Sequence, residues 1–334
     1  MMISGKVSAG CRVCGGTEVE EWLHPSEMMF GMREQFAYFR CATCGCLQLN
    51  EIPRDMSRFY PDNYYSFQKV KTVSVSLSSV FKRDFLNRSM TRHVLGWRNF
   101  FGHLFCHLVD HPNVPVWLRF LARPVPFDCA ILDVGCGSGA SLVELYECGF
   151  TNLLGVDPYI AKSLQYEGGI RIEKCELAGV RGKYDLVMFH HVLEHLEQPL
   201  KALQSARKLL APGGQIMVRI PLSDSAATQK YREKWVQLDA PRHITLQTRK
   251  SMEFLAQKAG LKVTRVTYDS FAFQFWGSEQ YLADIPLMDP RSQVFGTSTF
   301  FSSEQLAGFV TESALLNQQE KGDQAAFILE AGQA

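Results

Sequence analysis

AILDVGCGSGASLVELYECG, residues 130–149, reads as a strand, a glycine loop and a helix in immediate succession. Ala130 to Val134 is apolar except for Asp133, and Gly135, Gly137 and Gly139 form a turn in which backbone approaches a ligand closely. From Ala140 onward the apolar residues recur with helical period. About 24 residues after Asp133, LLGVDP (153–158) adds a second apolar strand ending in Asp157, where an acid can accept hydrogen bonds from both hydroxyls of a ribose. GIRIEKCE (169–176), YDLVMFHH (184–191), the helix PLKALQSARKLL (199–210), the APGG stop and the strand QIMVRIP (215–221) follow. Strands and helices alternate, which predicts a doubly wound, mostly parallel α/β sheet.

The glycines also satisfy the relaxed dinucleotide fingerprint G-x-G-x-x-G/A, so they do not decide the ligand alone. Asp133 stands two residues before the first glycine, where its carboxylate would repel a pyrophosphate and attract an ammonium group. S-adenosylmethionine carries that ammonium together with a ribose, and no phosphate.

With these residues in place, the chain resembles the class I S-adenosylmethionine-dependent methyltransferases. The resemblance rests on LDVGCGSG (132–139), GVDP (155–158), YDLVMFHHVLEHLEQP (184–199) and LAPGGQIMVRIP (210–221), with AAFILEA (325–331) similar to the last antiparallel strand of that fold. It implies a Rossmann-like sheet of seven strands. It also implies that Asp133, Gly135 and Gly137 cradle the methionine part, with Cys136 and Gly139 in the same loop. Asp157, followed by Pro158, holds the ribose, Cys175 and Glu176 lie against the adenine, and His190 sits near the sulfonium. KCEL departs from the commoner acid-bearing sequence beside the adenine.

Ahead of this region, Cys11-Arg-Val-Cys14 and Cys41-Ala-Thr-Cys44 are two CxxC pairs 26 residues apart, each followed by a glycine. Two such knuckles complete a tetrahedral Zn²⁺ site, and four thiolates leave no open position for chemistry, so the expected role is structural. Cys46 is spare. WLHPSEMMFGMREQFAYFRC (22–41) has strand-like residues for a small hairpin. RFYPDNYYSF (58–67) surrounds a Pro-Asp-Asn turn with Tyr60, Tyr64 and Tyr65, either an aromatic plug or a lid over an active site. Helical, basic segments run from 68 to the Pro124-Val-Pro126 break. The expected organisation is a zinc-ribbon-like module at 1–57, a tyrosine-bearing segment and helical cover at 58–127, and the methyltransferase domain at 128–334 with an insertion at about 277–320. That insertion either covers the substrate or makes a homodimer contact.

This combination resembles bacterial sugar- and glycan-associated methyltransferases, including C-methyltransferases of nucleotide-linked keto-sugars. The resemblance implies a sugar, nucleotide-sugar or glycan-type acceptor, in-line displacement, a general base among Tyr65, His191, Glu194 and His243, and a place in polysaccharide biosynthesis. HHVLEHL (190–196) holds three of the nine histidines. We read it first as a helix start that scaffolds the substrate site, next as an acid/base centre, and third as a metal site. In the third reading His191, Glu194 and His195 share a helical face and join His243. That segment is similar to the ExxEH of metal-assisted O-methyltransferases of quinones and small RNAs, with His191 in place of the first glutamate, a change that suits Zn²⁺, Mn²⁺ or Fe²⁺ better than Mg²⁺. A cofactor-binding scaffold without catalysis is a further alternative.

Lys plus Arg number 35 against 34 Asp plus Glu, which excludes a long-range field for a polyanion, and no nucleic-acid partner is expected. No run of about 18 uncharged apolar residues is present, so no membrane span is expected, and the N-terminus lacks the apolar core of a signal peptide. A cytoplasmic location is the expectation, with ten cysteines as thiols or metal ligands. The most membrane-like stretch, VLGWRNFFGHLFCHLV (94–109), carries Arg98, His103 and His107 and reads as an amphipathic helix packed on the main domain. The alternation of Phe271, Phe273 and Phe275 reads as a strand, and LLNQQEKGDQA (315–325) as an exposed loop.

Overall fold

The computed structural model describes residues 10–61, 70, 76–97, 99–108 and 113–332. Two sheets organise it. The larger contains β4 (Ala130–Val134), β5 (Asn152–Val156), β6 (Leu164–Gln165), β7 (Arg171–Glu173), β8 (Tyr184–His190), β9 (Leu210–Pro221), β11 (Leu261–Tyr268) and β12 (Gln324–Ala331), in the order β11-β12-β9-β8-β4-β5-β7-β6. β7, β5, β4, β8 and β9 are mutually parallel, while β12 runs antiparallel between β9 and β11. The expected seven strands are present, and β6, two residues long, adds an eighth at the edge.

Both faces of this sheet are covered, and the pleat shows why the strands read as continuous apolar runs. Leu132, Val134, Val187, Phe189, Ile216 and Val218 enter one core, whereas Ile131, Leu186, Met188 and Met217 enter the other. Helix Pro199–Leu209, started by a proline, and helix Arg249–Lys258, opened by a Thr248/Ser251 capping box, cover the first face. Helix Ala140–Glu147 covers the second.

The smaller sheet has the order β1-β2-β3-β10, with β1 (Val19–Leu23), β2 (Tyr38–Cys41) and β3 (Leu47–Leu49) from the cysteine module. Its fourth strand, β10 (Thr245–Leu246), arrives from the far half of the chain and pairs Leu246 with Leu47. Leu222 then bridges to Gln247, so this short strand links both sheets.

Three sequence expectations are corrected. The phenylalanine alternation belongs to a helix, Phe273–Leu282, because Phe275 turns into the core while Phe271 stays outside it. LLNQ (315–318) is the end of helix Ser303–Gln318, and β12 begins at Gln324. HHVLEHL starts no helix: His190 ends β8, His191 takes a left-handed φ of 53°, and Leu193–His195 is a single 3-10 turn. Among the described residues no helix is long and apolar enough to cross a membrane.

Candidate active site

The loop after β4 forms because glycine alone takes its backbone comfortably: Gly135, Gly137 and Gly139 have φ of 69°, 52° and 87°. A Cβ on Gly135 would also lie 2.6 Å from Val192. The parallel register of β4, β5, β7 and β8 brings four successive connections to one sheet edge, the place where open α/β sheets bind ligands. Asp133, Asp157, Cys175, Glu176 and His190 all sit at or just beyond those strand ends.

Asp157 Oδ2 accepts from Gly137 N at 2.9 Å and its Oδ1 from Tyr159 N at 2.8 Å. Asp133, buried beside it, is pushed up to about 8, first by burial and then by the Asp157 charge. Two buried acidic side chains with no cation between them among the described residues fit a ligand that brings a positive charge, and disfavour a phosphate. The loop therefore suits S-adenosylmethionine better than a dinucleotide.

His190 caps the same edge. Burial, then Arg219 and His191, lower it to about 3, so its ring is neutral, and it packs on Trp117 with centroids 4.9 Å apart. Its Nε2 is buried without a hydrogen bond among the described residues. His191 is turned away by its φ and lies between Arg219 (Nη1 to Nε2, 3.4 Å) and Glu194 (Nδ1 to Oε1, 3.3 Å).

Glu194, His195 and His243 converge: one ligand-type atom from each lies within 4.8 Å of the others. Glu194 is 1% exposed, and apart from the His191 contact neither carboxylate oxygen has a hydrogen bond among the described residues. Burial pushes its pKa up, but His191, His195 and His243 outweigh burial and hold it below the usual range. His195 Nδ1 lies 2.9 Å from the Arg242 carbonyl oxygen and His243 Nδ1 lies 2.7 Å from that of Gln237. A carbonyl only accepts, so each Nδ1 holds a proton and each Nε2 is left for the cluster. Burial and the neighbouring His243 lower His195 to about 4, so its Nε2 lone pair is free. His243 Nε2 also stands 3.9 Å from Asp239 Oδ2.

The loop that carries His243 is fixed by residues that sequence reading passed over. Arg242, fully buried, donates Nη2 to Glu27 Oε1 at 2.8 Å and to Asp239 Oδ1 at 2.6 Å, and Nη1 to Phe59 O at 3.3 Å. Glu27 in turn accepts from the backbone of Phe30 and Met32. Tyr38 Oη donates to His243 O at 2.8 Å. Tyr60 Oη lies 3.3 Å from His195 Nδ1, so the tyrosine segment does reach the histidines, through Tyr60. The expected base Tyr65, with Tyr64, falls outside the described residues. In sequence, DAPRH offers an acid and an arginine three apart, but nothing near it points to Glu27.

The four expected zinc ligands also come together. Cys11 and Cys44 sulfurs are 3.6 Å apart and those of Cys14 and Cys41 are 3.5 Å apart, against about 3.8 Å for a tetrahedron of 2.3 Å Zn–S bonds. Gly15 and Gly45 have φ of 79° and 78°, as a knuckle turn requires. Cys46 is buried, and its Sγ lies 3.7 Å from Leu47 O.

Residues 115–266 match the family model described as a methyltransferase domain. The chain is 32% identical over 107 residues to the ubiquinone biosynthesis O-methyltransferase of Cereibacter sphaeroides, covering 29% of this chain and 43% of that one. It is 41% identical over 69 residues to human EEF1A lysine methyltransferase 2, covering 21% and 28%. The chain thus spans less than half the length of these curated relatives. A solved S-adenosylmethionine-dependent methyltransferase from Archaeoglobus fulgidus aligns with 19% identity and a TM-score of 0.38, covering 60% of this chain and 86% of the other.

Proposed function

We propose, taking residues 115–266 as a class I methyltransferase domain, that the protein transfers a methyl group from S-adenosylmethionine to a small hydroxylated acceptor. The convergence of Glu194, His195 and His243 beside the glycine-loop edge carries this reading. A sugar or glycan precursor is the acceptor we favour, from the resemblance of the module order to sugar-associated methyltransferases. Asp133 and the Gly135–Gly139 loop would hold the methionine part, Asp157 and Pro158 the ribose, and Cys175 and Glu176 the adenine edge. The cofactor, when bound, supplies an electrophilic methyl group on sulfur. The chain must then align an acceptor oxygen, exclude water and remove one proton. His243 is our base, its Nδ1 anchored on Gln237 O and its Nε2 beside Asp239 and Glu194, which stabilise the charge it gains. His191 orients Glu194, and Cys11, Cys14, Cys41 and Cys44 hold a structural Zn²⁺.

One observation favours a second reading. Glu194 offers an ionised carboxylate, with His191 Nδ1 3.3 Å from its Oε1, and His195 an unprotonated Nε2, acceptors that face one another. A divalent cation held by Glu194, His195 and His243 would satisfy all three, with both Nδ1 atoms already on backbone carbonyls as metal-bound imidazoles require.

Methyl transfer should be measured with labelled S-adenosylmethionine against nucleotide-sugars, free sugars and catechols. Glu194→Gln and His243→Gln should lose roughly 10²–10⁴ of the rate while still binding S-adenosylhomocysteine. No binding of S-adenosylhomocysteine by folded protein sinks the enzyme reading, and transfer to catechols alone refutes the sugar acceptor. Turnover unchanged by chelation that spares the cysteine-bound metal refutes the cation at the cluster.

A further inference from the structure

The helical cover carries a face that methyl transfer does not use. Leu77–Phe81 and Arg88–Val94, joined by the π-type turn Lys82–Asn87, cross helix Phe100–Leu108 so tightly that a Cβ on Gly102 would meet Ser89 O at 2.1 Å. One side of this pair is anchored to the domain. Met90 is fully buried, Thr91 Oγ1 donates to Cys148 O at 3.0 Å, Asn87 Nδ2 donates to Glu147 O at 2.8 Å, and Arg83 stacks on Tyr146 at 4.4 Å.

The other side is aromatic and open, contrary to the expectation that residues 94–109 simply pack on the domain. Phe81, Phe85, Phe100 and Phe101 are 64%, 45%, 75% and 55% exposed, and Leu108 is 68% exposed. Their rings form one continuous chain: Phe81 to Phe85 at 5.6 Å, Phe85 to Phe105 at 5.8 Å, Phe105 to Phe101 at 6.2 Å and Phe101 to Phe100 at 5.8 Å. An aromatic patch of this continuity on a soluble surface marks an interaction site.

Charge selects the partner. Lys82, His103 and His107 are exposed on these elements, as is Arg92, whose guanidinium lies over the Phe127 and Trp97 rings at 5.3 and 6.0 Å. Asp84 is the one acid in the sequence from 76 to 108, and Arg83 and Arg88 engage it at 2.7 and 3.7 Å. Apolar rings beside cations, with no free acid in the segment, match an acidic lipid surface, where rings enter the acyl boundary and cations meet headgroups. A second copy docking isologously would press one cation-bearing patch with no free acid against another like it, at an electrostatic cost. We propose that this face docks the protein on a bilayer rich in anionic lipid.

Co-sedimentation of the full chain with phosphatidylcholine vesicles, with and without a quarter phosphatidylglycerol, tests this. Binding should favour the anionic vesicles by roughly tenfold or more and weaken with salt. It should be lost in both Phe100→Ser/Phe101→Ser and Lys82→Glu/Arg92→Glu, with S-adenosylhomocysteine binding and melting temperature retained as proof of folding. The proposal is overturned if the wild-type chain ignores anionic vesicles or if the phenylalanine variant binds them equally. A dimer in solution that the phenylalanine variant dissolves also overturns it, because a second copy would then cover the face.

Discussion

Replacing Arg242 with methionine removes the guanidinium from a buried group in which Glu27 and Asp239 are its acceptors. Side-chain bonds to Glu27 and Asp239 and one to the Phe59 carbonyl disappear together. Breaking a buried pair by removing one partner costs about 3–5 kcal/mol, because the charge left behind is uncompensated. Glu27 keeps its bonds from Phe30 N and Met32 N, so the lower half of that range is the expectation. At about 2 °C per kcal/mol for a domain of this size, the melting temperature should fall by roughly 6–8 °C. Adding Glu27→Gln should recover part of the loss, since the orphaned charge is then gone, and the double-mutant cycle should show a coupling of roughly 1–3 kcal/mol. Scanning calorimetry on wild type, both single variants and the double variant supplies all four corners. Methyl transfer by Arg242→Met should fall further than the unfolded fraction explains, because His243 is the next residue. A shift below about 2 °C, or strictly additive single variants, would refute the view that this arginine locks the loop.

Asp157→Ala should weaken S-adenosylhomocysteine binding by roughly 1–3 kcal/mol, about 5- to 150-fold in Kd by calorimetry. An unchanged Kd would move the ribose elsewhere. Asp133, with its pKa raised to about 8, makes pH part of the binding. A raised acid favours the folded state most below the unfolded value of about 4, and that contribution is lost as pH rises toward 8. A cationic ligand needs Asp133 ionised, so binding at pH 7 should release up to one proton. Heats measured in buffers of different ionisation enthalpy should reveal it, and buffer-independent heats would exclude it. Metal analysis should find one equivalent of zinc in the wild-type chain and none in Cys41→Ser/Cys44→Ser, and retention of one equivalent would place the metal elsewhere.

The parts of the fold that were legible were those whose cause is local. Gly135, Gly137 and Gly139 sit where φ must be positive, Asp157 ends an apolar run, and the CxxC pairs carry their ligand geometry within four residues. Misreadings arose where one local pattern has two solutions. Phe271, Phe273 and Phe275 alternate like a strand, yet the buried Phe275 and its neighbours satisfy a helix equally well. HHVLEHL has helical spacing, but His191 enters the left-handed region directly after β8, and that breaks any helical run through it. What the sequence could not reveal was long-range. Arg242 and Glu27 are 215 positions apart, Tyr60 and His195 are 135 apart, and each pair becomes visible only when the chain has closed.

β10 has a consequence for how this chain can be divided. Thr245 and Leu246 complete the sheet of the cysteine module, while Thr248 Oγ1 donates to Cys44 O and Lys250 Nζ to Thr43 O. A cut after residue 57 would therefore not yield a free-standing ribbon and a free-standing catalytic piece. The first fragment would end in a raw strand edge at β3, and the second would carry a two-residue strand without that partner, beginning two residues after His243. The edge that β3 needs is thus carried by the far half of the chain, which makes the front module poorly suited to exchange for another.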